Sequence, residues 1–172
     1  MTERKGIVTF KGNPLTLLGN PVKIGDKAPD AEVLANDLSP VKLSGFRGKV
    51  CVICSVPSLD TPVCDTQTRK FNEQAASLGD DVVVLTISMD LPFAQRRWCG
   101  SANVVNVRTL SDHRKAEFGN AFGVLIKELR LLARTVFVVD KEGVIRYTQI
   151  VDELTNEPDY EAALKAVKEI EK

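Results

Sequence analysis

Runs of apolar residues, several of them rich in valine, alternate along the chain with segments of mixed polarity. The runs KVCVICSV (residues 49–56) and VVVLTIS (82–88) are continuous, which is typical of strands covered on both faces. A third run, VVNVRTL (104–110), predicts another strand. Together these segments indicate the centre of a buried sheet.

The segments between and after these runs have helical patterns. A helix is predicted from about Pro62 to Leu78, because apolar residues recur on one face and Gly79 follows as a stop signal. Shorter helices are predicted around Leu91–Cys99 and from about Asp112 to Phe118. The last residues, 157–172, form an amphipathic pattern with acidic residues at its start and lysines near its end, which predicts a closing helix.

Two pairs of short apolar stretches predict hairpins. Near the N-terminus, residues 7–19 predict two strands joined by a turn at Gly12–Pro14. Near the C-terminus, residues 133–140 and 144–151 predict two strands joined by a turn that holds Gly143. The loop-rich region before residue 49 predicts short strands near Glu32–Leu34 and Val41–Leu43.

The order of these elements favours one fold class. Strands that alternate with helices predict an α/β domain with a central sheet flanked by helices. A terminal hairpin followed by a helix makes that sheet mixed, an arrangement similar to the thioredoxin-like fold, here with an additional N-terminal β-hairpin. The chain has 172 residues without a repeat or long linker, so we expect a single domain spanning residues 1–172.

Composition excludes several function classes. Lys and Arg together number 23, as do Asp and Glu, so nothing favours a nucleic-acid or anionic-membrane partner. No apolar run is long enough for a membrane span, and the charged N-terminus lacks the pattern of a secretory signal. We therefore expect a cytoplasmic protein. Its four cysteines are then expected to be reduced, metal-bound or catalytic rather than a static disulfide framework.

One cysteine lies at an unusual position, at the start of a predicted helix. The order Thr61-Pro62-Val63-Cys64 is that of a helix N-terminus, with Thr61 at the cap position and Pro62 at the first helical position. Cys64 then falls in the first turn, where free N–H groups and the partial positive charge of the helix end favour a thiolate over a thiol. Only the thiolate is a nucleophile, so this placement predicts a reactive cysteine.

The charges around Cys64 require a further cation. Asp60 and Asp65 flank the site and oppose ionisation of the sulfur. Arg134 interrupts the apolar run LLARTVFVV, where an arginine must find a partner or leave the core. Spacing alone leaves two interpretations open for Arg134: a salt bridge at a strand end, or stabilisation of the thiolate.

Two alternative cysteine chemistries arise from the same residues. Cys51 and Cys54 have the C-x-x-C spacing of disulfide oxidoreductases, but they lie within a predicted strand, where residues three apart point to opposite faces. We therefore interpret both as packed strand thiols. A zinc site formed by the four cysteines lacks the paired ligand spacing of zinc modules. The sequence thus predicts no metal.

A longer set of motifs resembles a known family. Pro57, Thr61 and Cys64 have the P-x-x-x-T-x-x-C spacing of the peroxiredoxin active-site signature. Over nearly its whole length the chain resembles the thiol peroxidase branch of the peroxiredoxins, the atypical two-cysteine group. This resemblance rests on four segments: GNPLTLLGNPVKIGDKAPDAEVL, SVPSLDTPVCDTQTRKFNE, SMDLPFAQRRWCG and LLARTVFVVD.

The resemblance implies a role for each of five residues. Cys64 would be the peroxidatic cysteine, and Thr61 would hydrogen-bond the peroxide. Arg134 would stabilise the thiolate and the polarised oxygens, and Pro57 would shield the pocket. Cys99 would be the resolving cysteine of the same subunit. A Cys64–Cys99 disulfide would require both segments to unwind partly, because two separate helices seldom bring Cα atoms within about 7 Å.

The resemblance also implies partners. Hydrogen peroxide or organic hydroperoxides would be the substrates, thioredoxin the reductant, and a homodimer the usual assembly, with no metal, haem or flavin. Leu59 and Phe46 are apolar candidates for lining a pocket for long-chain hydroperoxides. Two other functions stay open: a module that senses peroxide and relays oxidation to a partner, and a redox-independent chaperone.

Overall fold

The computed structural model describes all 172 residues and contains eleven strands and four helices. A further short 3₁₀ turn spans Leu43–Phe46. The elements in chain order are β1 Glu3–Phe10, β2 Asn13–Leu18, β3 Glu32–Leu34, β4 Pro40–Lys42, β5 Val50–Ser55, α1 Pro62–Ala75, β6 Val82–Ser88, α2 Pro92–Ala102, β7 Arg108–Ser111, α3 Glu117–Ala121, β8 Leu125–Ile126, β9 Leu131–Leu132, β10 Thr135–Val139, β11 Ile145–Ile150 and α4 Tyr160–Glu171.

Seven strands form a mixed central sheet in the order β11-β10-β5-β6-β7-β3-β4. Strands β5, β6 and β7 are parallel because a helix connects each to the next, and the remaining pairs are antiparallel. All six residues of β5 are buried, as its continuous apolar run predicts. The predicted mixed sheet flanked by helices is confirmed.

Two hydrophobic clusters cover the two faces of this sheet. One contains Phe71, Trp98 and Ala163, and therefore joins α1, α2 and α4 on one face. The other contains Phe118 and Leu17, and therefore joins α3 and the N-terminal hairpin on the opposite face. The first cluster also contains Cys64, so the predicted reactive cysteine lies on the three-helix face.

The N-terminal hairpin belongs to a second sheet of order β1-β2-β8-β9. Its two-residue loop is Lys11–Gly12, both with positive φ, and Asn13 and Pro14 lie within β2, so the turn predicted at Gly12–Pro14 begins one residue earlier. At the other end of β2, a Cβ on Gly19 would lie 2.3 Å from the Asn120 carbonyl oxygen. Glycine at this position therefore permits the hairpin to approach α3.

The structure differs from prediction where short polar side chains replace regular backbone pairing. Strand β7 begins at Arg108 rather than near residue 104, because the N–H groups of Val105 and Asn106 donate to the Asn72 side chain. Helix α3 begins at Glu117, five residues later than predicted, because the Asp112 carboxylate accepts the N–H groups of Phe118 and Gly119. None of the helices is both long and apolar enough to cross a membrane.

Candidate active site

Cys64 occupies the first turn of α1, where the sequence predicts it. Pro62 supplies no N–H, and the N–H groups of Val63 and Cys64 have no acceptor within the chain, since the first bond of the helix runs from Asp65 N–H to the Thr61 carbonyl (3.0 Å). The Cys64 side chain is fully buried. Two unpaired N–H groups thus lie beside a buried sulfur, and such a helix end stabilises negative charge.

Thr61 occupies the cap position, but its side chain does not cap the helix. Its hydroxyl donates instead to the Ser58 carbonyl (3.0 Å), which leaves the lone pairs of Oγ1 available as acceptors. The loop before it is fixed by Asp90, whose carboxylate accepts the Ser58 hydroxyl (2.7 Å) and the Leu59 N–H (2.8 Å). The loop that leads into α1 is therefore held to the segment just before α2.

Arg134 is buried at 2% exposure and makes no ion pair. Its Nε and one terminal N–H donate to the Leu154 carbonyl (3.1 and 2.7 Å), and another N–H donates to Gln67 Oε1 (2.9 Å). All of these acceptors are neutral. The guanidinium is therefore oriented by three hydrogen bonds, keeps further N–H groups free and makes no ion pair, although Glu157 lies close enough for the guanidinium to help lower the pKa of that carboxyl.

Three of the predicted site residues meet at one cavity. Pro57, Thr61 and Arg134 all line a space of about 390 Å³, which is in the range of small-molecule pockets. Cys64, the residue after Val63, is fully buried and is not among the residues that line this cavity. The other lining residues are Phe10, Lys11, Pro62, Val63, Leu129, Leu131, Leu154 and Thr155.

Two apolar residues considered from the sequence lie elsewhere. Leu59 is buried in the cluster of the three-helix face, and Phe46 lines a different cavity near Cys51. The apolar wall comes instead from the hairpin tip and from the segments 129–131 and 154–155. These segments are distant in sequence from Cys64, so no local motif could have indicated them.

The flanking carboxylate of Asp65 is neutralised by its neighbours. It accepts a hydrogen bond from Arg69 Nε (2.8 Å) and another from the indole N–H of Trp98 (2.9 Å). Lys70 pairs with Glu157 (2.9 Å), so neither cation of α1 is free for the Cys64 sulfur. Arg134 is the cation without such a partner near the start of α1.

Cys99 lies on α2, half-buried, and packs against the same cluster that contains Cys64. Its sulfur is 3.4 Å from the Thr109 hydroxyl. All four cysteines are free thiols, and Cys99 is not among the residues that line the cavity. The helix continues past Cys99 through Gly100 and Ser101 to Ala102, where the sequence predicted its end near Cys99.

The C-x-x-C pair has the geometry of packed strand thiols. Cys51 and Cys54 belong to the clusters on opposite faces of the sheet, so their sulfurs point apart. Burial raises the pKa of Cys51 to about 11 and that of Cys54 to about 12, so both are neutral thiols at physiological pH. No group of three potential metal ligands converges anywhere in the chain.

Sequence reasoning missed Gln67, Phe10 and Lys11. Gln67 is 1% exposed and holds the Arg134 guanidinium, and its position one turn after Cys64 on a helix was the only available signal. Phe10 and Lys11 come to the cavity from the N-terminal hairpin. Their distance along the chain from Cys64 concealed them.

Comparison with known proteins identifies the class of this fold and site. The model of the redoxin family, described as "Redoxin", matches residues 23–164, and the chain belongs to that family. A crystal structure described as a peroxiredoxin-like protein from Aquifex aeolicus superimposes with a TM-score of 0.90 at 47% identity, covering 99% of both chains. The predicted thioredoxin-like fold is thereby confirmed.

The similarity to curated relatives is more specific. A thiol peroxidase of Halalkalibacterium halodurans is 62% identical over 161 residues, covering 94% of this chain and 96% of that one. A thiol peroxidase of Bacillus subtilis is 58% identical over 165 residues, covering 96% and 98%. Within the redoxin family the chain is therefore a thiol-dependent peroxidase, with a peroxide as its substrate and a thiol as its reductant.

Proposed function

We propose that Cys64 is the residue that reduces the peroxide. Its thiolate attacks one oxygen of R–O–O–H, the O–O bond breaks, and the leaving alkoxide takes up a proton to depart as R–O–H. The sulfur becomes a sulfenic acid. The observation that carries this proposal is the position of Cys64, which lies next to two unpaired N–H groups and one helical turn before Gln67, the residue that accepts a hydrogen bond from the buried Arg134.

Arg134 and Thr61 are proposed to act on the peroxide. The free N–H groups of Arg134 would stabilise the thiolate before attack and the developing charge on the leaving oxygen. The Thr61 hydroxyl, which already donates to Ser58, would accept the hydrogen of the hydroperoxide. Pro57, which is buried and lines the cavity, would limit water at the reacting sulfur. These roles are proposed because Arg134, Thr61 and Pro57 all line the same cavity.

Cys99 is proposed to resolve the sulfenic acid. Its thiol would condense with Cys64–SOH to form a disulfide, releasing water. Because the two residues lie on separate helices, the first turn of α1 and the last turns of α2 would have to unwind. The dithiol of thioredoxin would then reduce the disulfide by thiol–disulfide exchange and restore both thiols.

The cavity favours organic hydroperoxides in addition to hydrogen peroxide. A volume of about 390 Å³ greatly exceeds what hydrogen peroxide requires, since a water molecule occupies roughly 30 Å³ of liquid. Its walls include Phe10, Leu129, Leu131 and Leu154. Burial of an apolar substituent there would contribute roughly 25 cal/mol per Å² of surface removed from water.

The experiment is a cysteine series with mass measurement. Reduced protein is treated with one equivalent of peroxide, and the products are mapped by mass spectrometry. Wild type should yield a Cys64–Cys99 disulfide, and Cys99→Ser should yield a sulfenic acid at Cys64. In Cys64→Ser, no cysteine should be oxidised as fast as Cys64 is in wild type. Cys54→Ser is the matched control, because its neutral thiol on the same face should be irrelevant. Unchanged peroxide reduction by Cys64→Ser would refute the proposal.

A second measurement separates catalysis from sensing. With thioredoxin, its reductase and NADPH present, we expect many turnovers for wild type and a strong loss for Cys99→Ser. A single turnover in wild type would favour the sensor function. Activity independent of Cys64 would favour a chaperone.

We also propose that the chain works as one domain, as a homodimer and in the cytoplasm. The hairpin supplies part of the cavity wall, which supports a single domain that includes the hairpin. Leu91 and Phe93 are exposed at the start of α2, at 51% and 64%, which supports an apolar contact between copies. Sedimentation equilibrium tests the dimer. Four free thiols suit a reducing compartment.

A further inference from the structure

Lys11 stands at the outer end of the cavity, on the tip of the N-terminal hairpin. Its side chain lines the cavity together with the exposed side chains of Phe10 and Leu129. The ammonium lies 5.5 Å above the Phe10 ring and takes part in no ion pair of the molecule. A cation without a carboxylate partner thus borders an apolar cavity whose inner part carries Arg134.

The hairpin tip is held firmly in this place. The Glu153 carboxylate accepts hydrogen bonds from Gly12 N–H (2.9 Å), from the Thr9 hydroxyl (3.0 Å), and from the N–H and hydroxyl of Thr155 (2.9 and 2.8 Å). Backbone bonds between Thr9 and both Asp152 and Leu154 add to this attachment. The backbone that carries Lys11 is therefore fixed to the segment that forms the opposite wall of the cavity.

The charges on the cavity lining have a single sign. The residues that line it include two cations, Lys11 and Arg134, and no carboxylate. The Glu153 carboxylate lies nearby, where it accepts four hydrogen bonds from the hairpin and its neighbours, but it does not line the cavity. A ligand complementary to this lining has an apolar body and an anionic group at the end away from the reacting sulfur.

We propose that Lys11 is a specificity-determining residue that binds the carboxylate of hydroperoxides shaped in this way, such as fatty-acid hydroperoxides. The hydroperoxide group would enter towards Arg134, the hydrocarbon would lie along Leu129, Leu131 and Leu154, and the carboxylate would remain at the rim beside the Lys11 ammonium. This inference rests on the proposed function of Cys64, and it adds a preference among substrates rather than a step of the reaction.

The test compares two hydroperoxides that differ only in charge. Linoleic acid hydroperoxide and its primary amide, both below their micelle concentrations, are reacted with reduced protein in single-turnover experiments followed by the fluorescence of Trp98, the only tryptophan. Wild type should react roughly two- to fivefold faster with the acid, as expected for an exposed ion pair. Added salt should reduce this preference because it screens the pair.

Variants of two hairpin lysines complete the design. Lys11→Gln should lose the preference for the acid over the amide, and Lys11→Arg should retain that preference. Lys5→Gln, an exposed lysine of β1 away from the cavity, is the matched control and should behave as wild type.

The outcomes distinguish failure of the role of Lys11 from failure of the proposed function of Cys64. Equal rates for acid and amide in wild type, with normal reduction of hydrogen peroxide, would overturn the role of Lys11 alone. A preference that persists in Lys11→Gln would also overturn it. No reaction of Cys64 with any of the three peroxides would instead remove the proposed function on which it rests.

Discussion

Arg134 is a buried cation whose hydrogen-bond acceptors are all neutral. A buried charge without an ion-pair partner is costly, and binding of the proposed anions, the Cys64 thiolate and the polarised peroxide, would offset that cost. Gln67 keeps the guanidinium in place by accepting one N–H at 2.9 Å. The side-chain amide suits the proposed mechanism because a carboxylate at this position would offset the positive charge proposed to act on the sulfur and the peroxide.

Replacing Gln67 with leucine tests whether its hydrogen bond to Arg134 contributes to the reaction. A hydrogen bond to a charged group is worth about 1.5–3 kcal/mol, so kcat/KM for hydrogen peroxide should fall roughly ten- to a hundredfold. The lost Nε2 atom is buried without an acceptor, so its removal should not add to the effect. Gln74→Leu, the same change later on α1, should leave the rate unchanged. Equal rates in both variants would contradict this role of Gln67.

Helices α1 and α2 are joined by a small polar contact between the two proposed redox cysteines. Asp65, next to Cys64, accepts the indole N–H of Trp98, next to Cys99. Arg69 adds a bond to the Ala102 carbonyl (3.2 Å) at the end of α2 and lies 5.8 Å from the Trp98 ring. This contact stabilises the state in which both helices are intact, and disulfide formation would have to break it.

Trp98→Phe should therefore accelerate disulfide formation after peroxide attack. An aromatic ring is kept at this position, although the phenyl ring is smaller than the indole, and the hydrogen bond to Asp65 is lost. For a partly exposed bond worth about 1 kcal/mol, we expect roughly fivefold faster closure, measured by rapid quenching and mass spectrometry. The rate of peroxide attack should not change. Slower closure in this variant would show that the contact does not oppose unwinding.

The elements show what local sequence patterns can and cannot predict. Strands β5 and β6 and helix α1 were predictable because apolar periodicity and helix signals act within a few residues. The short strands β8 and β9 were missed because two residues carry no periodicity, and pairing with β2 creates them. Likewise Cys64 and Thr61 were predictable from a helix start, whereas the cavity wall depends on contacts between distant segments.

At the scale of the whole molecule, Glu153 connects the two sheets. Its four hydrogen bonds lower its pKa from 4.5 to about 2. A carboxylate with a depressed pKa stabilises the folded state above its unfolded value, and this contribution is lost as pH falls from about 4.5 towards 2. Acid should therefore loosen the hairpin that carries one wall of the cavity.

Glu153→Gln measures that contribution. In urea unfolding at a series of pH values, the wild-type free energy of unfolding should fall more steeply between pH 4.5 and 2 than that of the variant. At neutral pH the variant should already be less stable, because an amide cannot accept from all of these donors. Glu169→Gln, an exposed glutamate of α4, is the control and should follow wild type. If the free energies of unfolding of wild type and Glu153→Gln changed in parallel with pH, Glu153 would not be the group responsible.

The attachment of Thr9 to Asp152 joins residues 143 positions apart. Strands β1 and β2 are consequently synthesised long before the segment that holds them. Until residues 152–155 are synthesised, the hairpin has no docking segment, and the cavity lined by Thr61 and Arg134 lacks one side. Nascent chains should therefore complete this cavity only after residues 152–155 have been synthesised, even though Cys64 itself is made much earlier.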